Sequence, residues 1–170
     1  MSNTTYQFIE KGRIIIEDAE IIYPNFSGRP NKYNKDGDRN FCVVIDNADI
    51  AQQLADEGWN VRIRRPRNED DEPSHYIPVA ISFRSFPSIP PADVYLISGG
   101  NKTHLTEDTI SVLDGAEAIH IDLTIRPRYF TDDKTGEERI KAYLHDMYVT
   151  VAKNRLAEKY ADMEYPSEDY

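Results

Sequence analysis

The stretch YPNFSGRPNKYNKDGDRNF, residues 23–41, sets aromatic rings and positive charges in alternation. Tyr23, Phe26, Tyr33 and Phe41 are the rings, and Arg29, Lys32, Lys35 and Arg39 the cations, against only two acids, Asp36 and Asp38. Gly, Pro, Asn and Ser fill the remaining positions, a composition that favours a loop. Such a segment offers two kinds of non-covalent chemistry at once. Guanidinium and ammonium groups attract phosphates, and flat apolar faces accept unpaired bases. A second block, WNVRIRRPR at 59–67, holds Arg62, Arg64, Arg65 and Arg67 with no acid. RPRYF at 126–130 adds Arg126, Arg128, Tyr129 and Phe130, and RIKAY at 139–143 adds Arg139, Lys141 and Tyr143.

The chain of 170 residues carries a formal charge of -10, which taken as one number argues against a polyanionic ligand. What matters for such a ligand is where the cations sit, and here the charge is segregated. Acids collect in EDDE at 69–72 and in the terminal YADMEYPSEDY, which contains no Lys or Arg. In that tail Asp162, Glu164, Glu168, Asp169 and the closing Tyr170 suit a basic pocket on a partner protein. The same tail can compete with nucleic acid for the protein's own cationic groove.

Other chemistries find little purchase. Cys42 is the single cysteine, so no disulfide framework or thiolate cluster is available. The histidines, His75, His104, His120 and His145, are scattered without metal-ligand spacing. EDDE is expected as a solvated loop, and no cofactor or metal is expected. GGNKTHLTED at 99–108 fails as a nucleotide-binding loop, because Tyr95 stands where the first Gly belongs and Asn101 separates Gly100 from Lys102. A turn feeding a helix N-terminus there would still receive one phosphate with help from Lys102. No apolar run approaches the roughly 20 residues needed to span a bilayer, and the N-terminal MSNTTYQFIEKG lacks the order of a signal peptide.

The elements that must position these residues are mostly strands. Ile119, Ile121, Leu123 and Ile125 alternate with polar residues, as do Ile77, Val79, Ile81 and Phe83. Pro78 cannot donate to a ladder, which predicts an edge strand or a bulge. Residues 13–23 form one long strand by pattern, with a bulge at Glu17 and Asp18 that lets it bend. RNFCVVI (39–45), WNVRIR (59–64) and RIKAYLHDMYVTV (139–151) are further strands, the last entered by the hairpin turn TDDKTGEE. Two short helices are predicted, at 48–58, closed by Gly58, and at 106–115, capped by Thr106. SFPSIPPAD (85–93) is a proline-rich loop. Short strands joined by long polar loops fit a mainly β, OB-fold-like Greek-key barrel, although a sandwich has the same periodicity.

Alternation then assigns faces. Trp59, Val61 and Ile63 share the inner face of one strand, leaving Arg62 and Arg64 outside. Ile140, Ala142 and Leu144 point inward on the last strand, leaving Arg139, Lys141, Tyr143 and His145 outside. Tyr23 and Phe41 are expected to pack at strand ends, and Phe26 and Tyr33 to ride on a mobile arm. Cations and rings on three separate segments match the needs of single-stranded nucleic acid. A duplex reader needs a helix or ribbon with rows of Arg, Asn or Gln, and no helix here has them.

The blocks IIIEDAEIIYPNFSG, GDRNFCVVID, DEGWNVRIRRPR, YIPVAISF, GGNKTHLTED and KAYLHDMYVTV, in that order, resemble the single-stranded DNA-binding proteins of a group of tailed bacteriophages. The resemblance spans about residues 13–151. It implies an OB-type barrel without catalytic activity that coats single-stranded DNA during phage replication and recombination, in the cytoplasm of the bacterial host. Replication or recombination proteins are then the expected partners of the tail. The organisation expected is an N-terminal extension (1–12), an OB-like binding domain (13–151) and an acidic tail (152–170). The competing reading is an adaptor that binds no DNA and acts through its tail alone.

Overall fold

In the computed structural model, residues 3–32, 34–84 and 89–152 are described. The β-branched and aromatic runs form ten strands: β1 (Thr5–Phe8), β2 (Ile14–Glu17), β3 (Ile21–Asn25), β4 (Arg39–Ile45), β5 (Arg62–Arg64), β6 (Ser74–Ile81), β7 (Asp93–Ser98), β8 (Asn101–Leu105), β9 (Ala118–Thr131) and β10 (Glu138–Val151). One α-helix, α1 (Ala48–Glu57), lies between β4 and β5. The main strand path runs β1-β2-β9-β10-β6-β4-β3. Its neighbours are antiparallel except β10 with β6, which pair in parallel through Ala142 with Val79 and Tyr143 with Ala80.

The two inner ends of this path belong to one stretch of chain. Residues 13–23 are not a single bent strand but two strands that turn a corner at Asp18, whose φ is 51°. At the corner the Ala19 N–H donates to the Ile121 carbonyl of β9 at 2.8 Å, and the Glu20 carbonyl accepts from the Val44 N–H of β4 at 2.9 Å. The curved sheet thus returns to its starting segment, giving a partly open barrel in the OB strand order. Ile14, Ile16, Phe41, Val43, Ile77, Val79, Leu123, Ile125, Leu144 and Met147 fill its interior.

α1 forms where the sequence signals it. The Asn47 side chain accepts from the Asp49 and Ile50 N–H groups, Ala51 and Leu54 are buried, and Gly58 closes the helix in the left-handed region at φ 106°. The second predicted helix is only a 3₁₀ turn, Ile110–Gly115. Its buried residues, Ile110 and Leu113, are three apart, which suits the 3₁₀ period better than the α period. Thr106 gives it no side-chain cap; its carbonyl instead accepts from Thr109 and Ile110.

Pro78 lies neither on an edge nor in a bulge. β6 is flanked by β4 on one side, with Cys42 opposite Pro78. On the other side β5 pairs it at Ser74, His75 and Tyr76, and β10 takes over at Val79. The proline without an N–H sits at that handover. β7 and β8, which alternation did not reveal, form a hairpin turning at Gly99 and Gly100, with φ of 56° and 81°. Beside it, the base of the proline-rich loop is held by the Ala92 N–H donating to the Ser82 carbonyl at 2.8 Å.

Gly58 tests the α1 terminus. A Cβ there would meet the Glu138 carbonyl oxygen at 3.3 Å in a backbone conformation that L residues resist. Gly58→Ala is expected to lower unfolding free energy by about 1–2 kcal/mol in urea denaturation.

Candidate nucleic-acid interface

An open cleft of about 940 Å³ lies between the loop 26–38, the β9–β10 hairpin and the strands β4, β6 and β10. It exists because β10 pairs with β6 over only two residues. Upstream of that contact the β9–β10 hairpin swings away, and the chain at Trp59 bridges to Ile140 instead. Arg39, Arg62, Arg84, Arg139 and Lys141 reach the cleft, with Phe83, Phe130 and Tyr143 among them. Asn40, Asn60 and Ser82 add neutral polar groups, and Asp36, Asp38, Glu107 and Asp132 add acids.

The cations differ in what holds them. Arg39 lies 3.4 Å from the Glu107 carboxylate. Arg139 is 3.5 Å from Asp132 and 3.3 Å from Glu137. The Lys141 ammonium sits 5.2 Å from the centre of the Tyr143 ring, an attractive placement for a cation. Tyr143 itself is buried in the cleft floor, whereas Phe130 stands 44% exposed at the rim. Burial pushes the Cys42 thiol up, opposed in part by the nearby Arg62 guanidinium. His145 is held below its ordinary value of 6.5, first by burial and then by Arg126.

The loop 26–38 is tied down rather than an open arm. The Asp114 carboxylate accepts from the Phe26 and Ser27 N–H groups, both at 2.9 Å. The Gly37 N–H donates to the Gly28 carbonyl at 2.8 Å. The Asn34 side-chain amide donates to the carbonyls of Arg29, Lys35 and Asp38 and accepts from Asn40. Phe26 is 3% exposed and packs on Phe41 with ring centres 5.9 Å apart. Its ring belongs to the core and is not available to a base.

Of the residues singled out from sequence, Arg39, Arg62, Arg139, Lys141 and Tyr143 line the cleft. Arg29, Lys32 and Lys35 are exposed on the loop outside the lining, and Tyr33 lies outside the described residues. Arg64 is turned to Ser74, its Nε donating to Oγ at 3.2 Å, and Arg65 and Arg67 are exposed beyond β5. Arg128 is opposite Lys141 on β9, and Tyr129 is exposed next to it. Lys102 is on β8, not at a helix start, and lies 4.7 Å from the Tyr95 ring centre. The tail residues Asp162, Glu164, Glu168, Asp169 and Tyr170 lie outside the described residues.

Three face assignments are reversed, the first being Ile119, which is 56% exposed near the start of β9. Ile63 is 61% exposed, because β5 is a short strand on the rim and not a barrel stave. Tyr23, expected in the core, is 58% exposed, with φ at 52° and an edge contact to Tyr76 at 5.8 Å. Phe83 and Arg84 are the lining residues that sequence reasoning left out. The available signal was position: Phe83 ends the predicted strand 75–83 and Arg84 follows it, where the chain leaves the sheet beside the cleft.

Among the described residues no group of three potential metal ligands occurs, and no helix is long and apolar enough to cross a membrane. An OB-like barrel with a basic, ring-bearing cleft between these two loops has the build of an oligonucleotide-binding module. The profile of the family described as Putative phage ssDNA-binding domain matches residues 1–170, and the chain belongs to that family.

Among solved structures, the single-stranded DNA-binding protein from bacteriophage Enc34 in complex with ssDNA superposes with a TM-score of 0.55 at 12% identity, over 91% of this chain and 93% of that one. The protein from the same phage in another structure gives 0.50 at 13% identity, over 99% and 94%. At these identities the likeness is one of fold. No curated protein sequence matches the chain.

The division between core and cleft rings is open to test. Phe26→Ala should cost roughly 3–5 kcal/mol of stability, while Phe130→Ala should stay within about 0.5 kcal/mol of the parent, both by denaturant unfolding.

Proposed function

We propose that the protein binds single-stranded DNA in this cleft without strong sequence preference and shields it during phage DNA replication and recombination. The observation that carries the reading is the meeting of Arg62, Arg84 and Lys141 with the rings of Phe83 and Phe130 in one open channel of an OB-like barrel. Phosphates engage the cations while bases lie on the rings, and because every base has a flat face, sequence matters little. Membership of the phage family supports the same ligand.

The protein acts by binding, with no chemical step. Residues 13–151 make the binding domain, and residues 152–170 the acidic tail that recruits replication or recombination proteins. Arg29, Lys32, Lys35, Arg64, Arg65, Arg67 and Arg128 lie outside the lining and act as a peripheral positive field that steers the strand toward it. The place of action is the cytoplasm of the bacterial host.

The test is a salt titration of binding to fluorescent oligo-dT beside a duplex of equal length. Three to five neutralised phosphates give a log–log slope between about -2 and -3.5, at ~0.7 per phosphate. The duplex should bind far more weakly. Arg62→Ala should make the slope shallower by about 0.7, and Phe130→Ala should weaken binding by about 1–3 kcal/mol. Absence of binding at low salt, even after removal of residues 160–170, would overturn the reading in favour of an adaptor working through its tail.

A further inference from the structure

Arg39 is an unusual member of the cleft. Its side chain is only 17% exposed, against 54% for its partner Glu107. One terminal nitrogen reaches the Glu107 carboxylate at 3.4 Å and the other the Glu107 backbone carbonyl at 3.4 Å. Both contacts are longer than the ~2.7–2.9 Å of good charge-assisted hydrogen bonds. The buried Nε has no hydrogen-bond partner among the described residues. A guanidinium presents five N–H donors in a planar fork, and leaving them poorly matched in a partly buried place is unfavourable.

Glu107 is held at this spot by the turn that follows β8. The Thr106 N–H donates to Thr109 Oγ1 at 2.7 Å, and the Thr106 carbonyl accepts from the Thr109 and Ile110 N–H groups at 3.1 and 2.9 Å. The backbone thus offers one carboxylate to Arg39 from across the cleft, and Glu107 and Arg39 both line it.

We propose that Glu107 is a displaceable stand-in for a DNA phosphate: in the empty cleft it neutralises Arg39, and a phosphodiester replaces it when the strand binds. The inference rests on the single-stranded DNA reading above and deepens it. Two phosphate oxygens match the planar fork of Arg39 better than one carboxylate oxygen and one carbonyl at long range. The exchange trades one anion for another at Arg39: the cation condensed on that phosphate is released, and the freed Glu107 carboxylate gathers one from solution. Its phosphate contact is therefore muted in the salt dependence, because the cation taken up by Glu107 offsets the one the DNA releases. Glu107 also weakens binding, since its charge must be moved aside or left facing the phosphates.

The experiment uses the full chain and fluorescent oligo-dT, comparing the parent with Glu107→Gln, Arg39→Gln, the double variant, and Glu117→Gln as a control for net charge at the start of β9. Thermal melts run alongside; Glu107 is exposed enough for its amide variant to fold. Glu107→Gln is expected to tighten binding roughly two- to fivefold at low salt, and to steepen the log–log slope by up to about 0.7, because no freed carboxylate then takes back a cation.

Glu117→Gln should do neither, and the gain should vanish in the Arg39→Gln background, as a double-mutant cycle requires of coupled residues. If the parent binds and Glu107→Gln matches it in affinity and slope, the stand-in role is overturned while the binding function stands. An equal gain with Arg39 removed also overturns it, because Glu107 would then act as bulk repulsion. A parent that does not bind oligo-dT removes both readings.

Discussion

The barrel depends on the corner at Asp18–Glu20. Everything from β9 round to β4 is one curved ribbon, and this stretch touches both of its ends. Its hold comes from backbone groups on both sides, to Ile121 and to Val44. Side chains add to it: the Asp18 N–H donates to Asp122, His120 meets the Asp18 carboxylate at 2.9 Å, and the Thr4 hydroxyl donates to the Asp18 carbonyl. A residue with positive φ makes the turn possible, and Asp is among the side chains that tolerate it. With the ends joined, the curvature of the intervening strands is fixed. That curvature sets how far the loop 26–38 stands from the β9–β10 hairpin.

The cleft between them answers a conflict of charge. In a chain at -10 the cleft gathers five cations against four acids, and two of those cations are paired internally. Arg62, Arg84 and Lys141 have no ion pair among the described residues, while Arg39 and Arg139 are held by carboxylates. The empty protein therefore avoids a dense block of unbalanced positive charge, which would cost stability by self-repulsion.

Much of this was legible in the sequence, and the failures have particular causes. Alternation located β6, β9 and β10, because one face of each is buried and the period of two is then enforced. Gly58 marked the end of α1 because caps act locally. Phe26 was misplaced because a ring in a Gly- and Asn-rich loop carries no periodicity. Its burial comes from Asp114, 88 residues away, which accepts from its backbone. Tyr143 was rightly set opposite the core side of β10, but the cleft floor covers that face too. Phe83 was read only as the last apolar residue of a strand and Arg84 not at all, because nothing local marks a residue leaving a strand as part of a channel. Tyr23 was drawn to the core by its neighbours Ile21 and Ile22; the register shift between Ile22 and Asn25 turns it outward.

The handover at Pro78 has a meaning for the resting protein. Sheets tend to heal: unpaired strand edges that face each other across a gap recruit one another through their amides. Here β5 occupies β6 up to Tyr76, and the next position able to donate toward β10 is Ala80. A missing hydrogen at Pro78 breaks the row of donors along which the sheet would otherwise zip up. The open state of the channel is thus written partly into covalent structure rather than left to a balance of weak contacts. The gap is one that the protein cannot easily fill with itself.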